Sequence, residues 1–155
     1  GLLATEGTVK SQSYDMEIHK LWPDIKVTGQ ACPFWVPLVE YNEADSPGAD
    51  YFVKKRIDQL LRKDPEIDSI ILGCTHFPLL MPKILKYTPP GITIVPQGEY
   101  VASKLKDYLR RHPEMETLLT KGGDVKYFST ENASKFMASA SIFLHERIKA
   151  THIDL

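Results

Sequence analysis

Two cysteines, Cys32 and Cys74, are all the thiol that this 155-residue chain carries. That is too few for a disulfide scaffold and fits a reduced, cytoplasmic setting in which a thiol stays free to react. Long apolar runs are missing too. No stretch approaches the ~20 residues a membrane-spanning helix needs, and no secretory signal is visible. Neither sign of charge is in excess: 19 Lys and Arg against 20 Asp and Glu leave a formal net charge of −1. Without a basic footprint, no nucleic-acid partner is expected. Internal repeats and low-complexity segments are also absent. What is there is the make-up of a soluble globular protein, 43% hydrophobic and 25% charged, long enough for a domain with a real core. The chain opens Gly1-Leu2-Leu3-Ala4, without Met and already inside an apolar run, as expected of a piece cut from something longer.

The hydrophobic pattern alternates short β-branched runs with helical stretches. Strands are expected at 1–4, 26–31, 67–72 and 92–95, and a further one at 126–129. Helices are expected at 9–22, with Thr8 as N-cap, at 49–63, from Pro78 to Lys86, at 99–111 and at 132–148. Val53, Ile57, Leu60 and Leu61 fall on one face of the second of these helices. The run Cys32–Glu40 is apolar but holds Pro33 and Pro37, which predicts a packed loop or short helical turn. Residues 113–123 read as a polar connection, and the tail 150–155 as frayed. Ile67–Leu72, continuously apolar and short, suits a central strand covered on both faces.

Such an alternation predicts an α/β fold with a parallel sheet. Right-handed crossovers then put every strand-to-helix loop on one edge, where open sheets keep their chemistry. Three of those loops carry reactive side chains: Thr5 and Thr8, then Cys32 and Glu40, then Cys74, Thr75 and His76. The most informative is Gly73-Cys74-Thr75-His76. A helix N-terminus and a neighbouring imidazolium favour thiolate over thiol. Gly73 lets backbone and ligand come close. Thr75 offers a hydroxyl and a backbone N–H suited to a carboxylate, and His76 can share in proton transfer. A lone strand-end cysteine is more often a small buried hydrophobe; the reactive neighbours of Cys74 tip it toward catalysis, whereas Cys32 reads as packing. His19, His112, His145 and His152 read as surface residues. For Glu40, a solvated loop carboxylate and a site residue weigh about equally. A metal site is disfavoured, because Cys74-x-His76 lacks a second nearby pair. A cysteine–histidine hydrolase is disfavoured on the expectation that the two side chains face apart along extended backbone.

Leu72-Gly73-Cys74-Thr75-His76-Phe77-Pro78-Leu79-Leu80 resembles the second-cysteine motif of the glutamate racemases. Two further stretches agree, in family order. Leu3-Ala4-Thr5-x-x-Thr8-Val9-Lys10-Ser11, with Tyr14 after it, resembles the family's first threonine segment. Ala31-Cys32-Pro33-x-x-Val36-Pro37-Leu38-Val39-Glu40 resembles its Ala-Cys-Pro loop. The resemblance covers essentially the whole chain. It implies two similar α/β domains with glutamate between them, no cofactor and no metal. It also implies two cysteines on opposite faces of the substrate Cα, one removing a proton as thiolate and the other delivering one. Interconversion of L- and D-glutamate would supply D-glutamate for peptidoglycan. Carried over by position, Cys74 matches the second catalytic cysteine and His76 the histidine that assists it. Thr75, Thr5 and Thr8 match substrate-binding residues, with His76 also among them, and Glu40 matches a supporting acid.

The departures are equally definite. The family's Asp-Ser-Gly and Asn-Thr motifs, the latter with the first catalytic cysteine, do not occur here. The resemblance therefore implies a racemase domain over 1–98 and a helix-strand-helix segment over 99–155 that returns, in the intact family, to the missing N-terminal domain. Without that domain, Val101, Leu105, Leu109, Phe136, Ile142 and Phe143 are expected to favour self-association. The segment Val95-Pro96-Gln97-Gly98-Glu99 also departs from the acidic-then-small pattern of many members. Two other readings stay open at this point: an aspartate or hydantoin racemase, and a non-catalytic α/β binding domain.

Overall fold

A computed structural model of the chain describes residues 1–154. Four strands, β1 (Leu2–Ala4), β2 (Gly29–Ala31), β3 (Ser69–Leu72) and β4 (Thr93–Pro96), form one sheet in the order β2-β1-β3-β4. Every pairing is parallel, with Leu3 opposite both Gln30 and Leu72, and Leu72 opposite Pro96. All four carboxyl ends therefore lie on one edge, so the expected convergence of strand-end loops holds. β1 and β3 occupy the middle of the sheet.

Between β1 and β2 the chain makes two helices rather than the single one expected over 9–22: α1 (Glu6–Ser11) and α2 (Ser13–Leu21). Gln12 stands between them at φ 52° in the left-handed region, a break the apolar spacing does not announce. The cap is Thr5 rather than Thr8; its side chain accepts from the Thr8 backbone N–H at 3.5 Å. After β2, the proline-containing run folds into a true helix, α3 (Trp35–Glu40). Pro37 falls in its first turn, where a backbone N–H would have no intrahelical partner in any case. α4 (Pro47–Lys63) follows, with the Ser46 side chain accepting from the Ala49 N–H at 3.2 Å and Arg62 and Lys63 in its last turn. Cap, N1 proline and C-terminal cations are all placed as helix physics favours. α4 buries Ala49, Val53, Ile57 and Leu60.

After β3 comes a 3₁₀ turn (Phe77–Leu80) and then α5 (Met81–Tyr87), so the helix expected from Pro78 starts three residues late. Asp50 at the start of α4 ties it to α5, receiving Lys83 Nζ at 2.5 Å, the Tyr87 hydroxyl at 2.5 Å and Lys86 Nζ at 2.9 Å. The core holds Leu2, Leu3, Trp35, Val39, Ile70, Leu72, Phe77 and Ile84, all fully buried or nearly so. Trp35 and Phe77 meet with ring centroids 4.7 Å apart at 59°, a tilted contact worth about 0.5–1.5 kcal/mol beyond its area. The expected cover on both faces of β3 is only partly met. Ile70 and Leu72 are buried, but Ile71 is half-exposed and lines a cleft of about 470 Å³ with Tyr14, Ile18, Trp22 and Val95.

The chain makes two compact units, the first Gly1–Lys104 and the second from Leu105 onward. α6 (Gln97–Arg111) begins in the first and ends in the second. The second unit continues with α7 (Pro113–Glu116), inside the expected polar connection, then β5 (Tyr127–Ser129), α8 (Ala133–Leu144) and β6 (Ala150–His152). β5 and β6 pair in parallel, Tyr127 opposite Ala150 and Ser129 opposite His152. The expectation of a frayed tail is thus wrong for 150–152: backbone hydrogen bonding in a βαβ unit orders a polar segment that has no hydrophobic signal. Leu155, the last residue of that expected tail, lies outside the described residues. Among the described residues no helix is long and apolar enough to cross a membrane.

Candidate active site

The carboxyl edge of the sheet collects the chemistry. At the end of β1, Thr5 turns the chain into α1, and its Oγ1 lies 2.9 Å from the Thr8 Oγ1. The two threonines named from sequence are therefore hydrogen-bonded neighbours, both half-buried. At the end of β2, the Cys32 N–H donates to the Ala4 carbonyl at 2.9 Å. The Cys32 thiol is fully buried and donates to the Gln30 carbonyl at 3.5 Å. Burial pushes this thiol up to about 12, which makes it an inert packing group.

At the end of β3, Gly73 leaves the strand. An added Cβ would sit 2.9 Å from Leu2 Cδ1 and 3.0 Å from Ala4 Cβ, so close packing is why glycine stands here. Cys74 follows in a bend, and the Phe77 N–H donates back to its carbonyl at 3.2 Å. That turn brings the thiol and the imidazole together: Cys74 Sγ lies 3.9 Å from His76 Nδ1. The expectation that they face apart fails on two counts. Residues two apart on a strand share a face, and here the backbone has already left the strand for a turn.

His76 reaches further, with Nε2 2.5 Å from Glu40 Oε1 at the end of α3. Trp35 on α3 packs on Phe77 of the 3₁₀ turn, which holds the two segments beside each other. When the Nε2–H donates to the carboxylate, Nδ1 is left as the acceptor facing the thiol. The result is a thiol–imidazole–carboxylate relay. Cys74 is part-exposed, while the His76 and Glu40 side chains are 31% and 52% exposed, so protons can pass to solvent. Thr75 is exposed beside them. The structure thus joins Cys74, His76 and Glu40 in one relay and Thr5 with Thr8 in a second cluster on the same edge.

Sequence reasoning did not single out Gln97 or the Tyr14 hydroxyl. Gln97 Nε2 donates to Tyr14 Oη and to the Leu72 carbonyl, both at 2.8 Å. Gln97 falls one residue past β4, on the same edge as Cys74; its strand-end position was the available signal. Of the four histidines set aside, His19 bonds the Ile25 carbonyl, and His112 and His152 bond nearby acceptors, all on the surface. Among the described residues no group of three or more His, Cys, Asp or Glu is placed to hold a metal ion.

Comparison with known proteins gives a consistent result. The chain is 37% identical over 156 residues to a glutamate racemase of Lactiplantibacillus plantarum, covering all of this chain and 56% of that protein. Among solved structures, a glutamate racemase isoform from Bacillus anthracis matches with a TM-score of 0.87 at 32% identity, covering all of this chain and 57% of that one. A glutamate racemase from Francisella tularensis in complex with D-glutamate matches with a TM-score of 0.81 at 25% identity, covering all of this chain and 56% of that one. No family model matches the chain. The chain spans a little over half the length of the relatives it matches. Along its whole length, in sequence and in fold, the chain is similar to a little over half of a glutamate racemase.

Proposed function

We propose that this chain carries one half of a cofactor-independent, two-base active site that interconverts L- and D-glutamate. The observation that carries it is the Cys74–His76–Glu40 relay at the carboxyl edge of the sheet. As thiolate, Cys74 takes the proton from the substrate Cα and becomes a thiol; a second group on the opposite face then gives a proton to the carbanion. In the reverse direction the Cys74 S–H delivers its proton, and His76, backed by the Glu40 carboxylate, carries protons between the sulfur and solvent. Thr5, Thr8 and Thr75 supply hydroxyl and N–H groups for the substrate's carboxylate and amino groups. A base that serves both enantiomers needs a matched partner. Cys32, the other thiol, is buried and pushed up to about 12, so it is not that partner.

The opposing base then belongs to the part of the relatives that this chain does not span. On this reading residues 1–98 form the racemase domain with the second catalytic cysteine, and 99–155 return to the other domain. Glutamate and that domain are the partners, and the exposed side chains of Val101, Leu105 and Ile142 are covered there or by a second copy. The setting is the cytoplasm, where D-glutamate is made for peptidoglycan. The test is Cα–deuterium exchange of L- and D-glutamate in heavy water, followed by NMR. The chain alone is expected not to invert either enantiomer. Inversion at the rate of a full-length racemase overturns the half-site reading.

A further inference from the structure

We propose that Gln97 is a positioning residue for Cys74. The peptide unit between Leu72 and Gly73 is gripped from both sides of β3. On the β1 side, the Gly73 N–H donates to the Leu3 carbonyl at 2.8 Å. On the β4 side, the Leu72 carbonyl accepts from the Gln97 side chain at 2.8 Å. In the parallel ladder, Leu72 stands opposite Pro96, the last residue of β4. The chain then turns into α6 at Gln97, and the side-chain amide takes the place of a ladder rung at the strand's end. The second proton of that amide goes to the Tyr14 hydroxyl on α2 at 2.8 Å, which uses up both donors and fixes the amide plane.

One residue beyond this gripped peptide stands Cys74. Beside Gly73, the space that a Cβ would fill is already held by Leu2 and Ala4. The position of the sulfur relative to His76 Nδ1 thus follows from the hydrogen bond that Gln97 makes to the Leu72 carbonyl. Gln97 acts through Leu72, and Tyr14 acts through Gln97. All of these residues lie in the first unit. The inference depends on the racemase reading only for what Cys74 does once it is placed.

The clamp is tested on the chain itself, without glutamate, by iodoacetamide labelling resolved by peptide mass spectrometry across a range of pH. Cys74 is the reporter, and buried Cys32 is the internal gauge of general loosening. Gln97→Met keeps length and bulk but removes both donors. It is expected to slow Cys74 labelling several-fold at neutral pH, where the fixed imidazole matters, with little change at alkaline pH, where any thiol ionises. Tyr14→Phe leaves the bond to Leu72 in place and is expected to give a smaller change of the same kind. Cys32 is expected to stay as unreactive as in the wild type in both. Identical Cys74 profiles in wild type and both variants overturn the proposal. So does Cys32 labelling that rises in step with Cys74. The racemase reading stands or falls on glutamate exchange instead, so the two failures appear in different experiments.

Discussion

The two units of the chain differ in how many apolar residues they seal from solvent. In the first, Leu3, Trp35, Val39, Val53, Ile57, Ile70 and Phe77 are sealed from solvent between sheet and helices. In the second, Ile148 is the buried hydrophobic residue among the described residues, while Leu118, Val125, Phe128, Ile142 and Leu144 are exposed. α8 is rich in Phe, Met, Ile and Leu, yet it buries none of its residues. A four-stranded sheet has two wide faces, each able to hold a layer of helices. A two-stranded sheet with one crossover helix has too little surface to enclose a core of its own. The first unit therefore has what it needs to fold by itself, and the second presents apolar surface to be covered.

The largest expected effect lies in the first core. Phe77→Ala removes the ring that packs on Trp35 and joins α3 to the turn after Cys74. It should cost about 3–5 kcal/mol in urea denaturation; a loss under about 1 kcal/mol would mean the core closes without it.

Gly73→Ala comes next. Its Cβ would enter space already held by Leu2 Cδ1 at 2.9 Å and Ala4 Cβ at 3.0 Å. Ala4 has no flexible end to move aside, so a loss of about 1–3 kcal/mol is expected. A neutral result would show that β1 and β3 separate easily at this edge.

Asp50 gives the comparison a pH axis. Its carboxyl is held well below the usual carboxylate range, by the Lys83 ammonium first, then by the Tyr87 hydroxyl and Lys86. A folded-state value below the unfolded one, near ~3.9, stabilises the fold fully above that unfolded value. The contribution is lost as pH falls through the folded value. Asp50→Asn should therefore lower the urea midpoint at neutral pH, and the gap to wild type should narrow on acidification. A gap that stays constant would assign the effect to shape rather than charge.

The smallest effect belongs to the second unit. Leu118, 79% exposed, should change stability by no more than about 0.5 kcal/mol on mutation to Ser. A cost of ~2 kcal/mol would be that of a core position and would erase the contrast between the units.

Much of this molecule is visible in the residues themselves. Strand-then-turn patterns give the sheet, because a parallel strand covered by helices must be short, apolar and β-branched. Ser46-Pro47 and the Val53-Ile57-Leu60 stripe mark α4 because cap chemistry and helical period are local. Gly73-Cys74-Thr75-His76 stands out because reactive and small residues rarely cluster without cause. Other features are hidden for equally physical reasons. α3 is masked by Pro33 and Pro37, whose missing donors cost nothing where they sit. The break at Gln12 comes from one backbone angle. β6 is polar and is ordered by its pairing with β5.

The sequence by itself determined the α/β class, the strand-end placement of Cys74 and the resemblance to glutamate racemases, since period, turn chemistry and motif are written in neighbouring residues. The folded structure alone decided that His76 faces Cys74, that Glu40, 36 positions earlier in the chain, holds His76, and that Gln97 grips the peptide before Cys74. The contacts of Glu40 and Gln97 join segments far apart in the chain, which the parallel sheet brings to one edge, while that of His76 with Cys74 is made by the turn after β3.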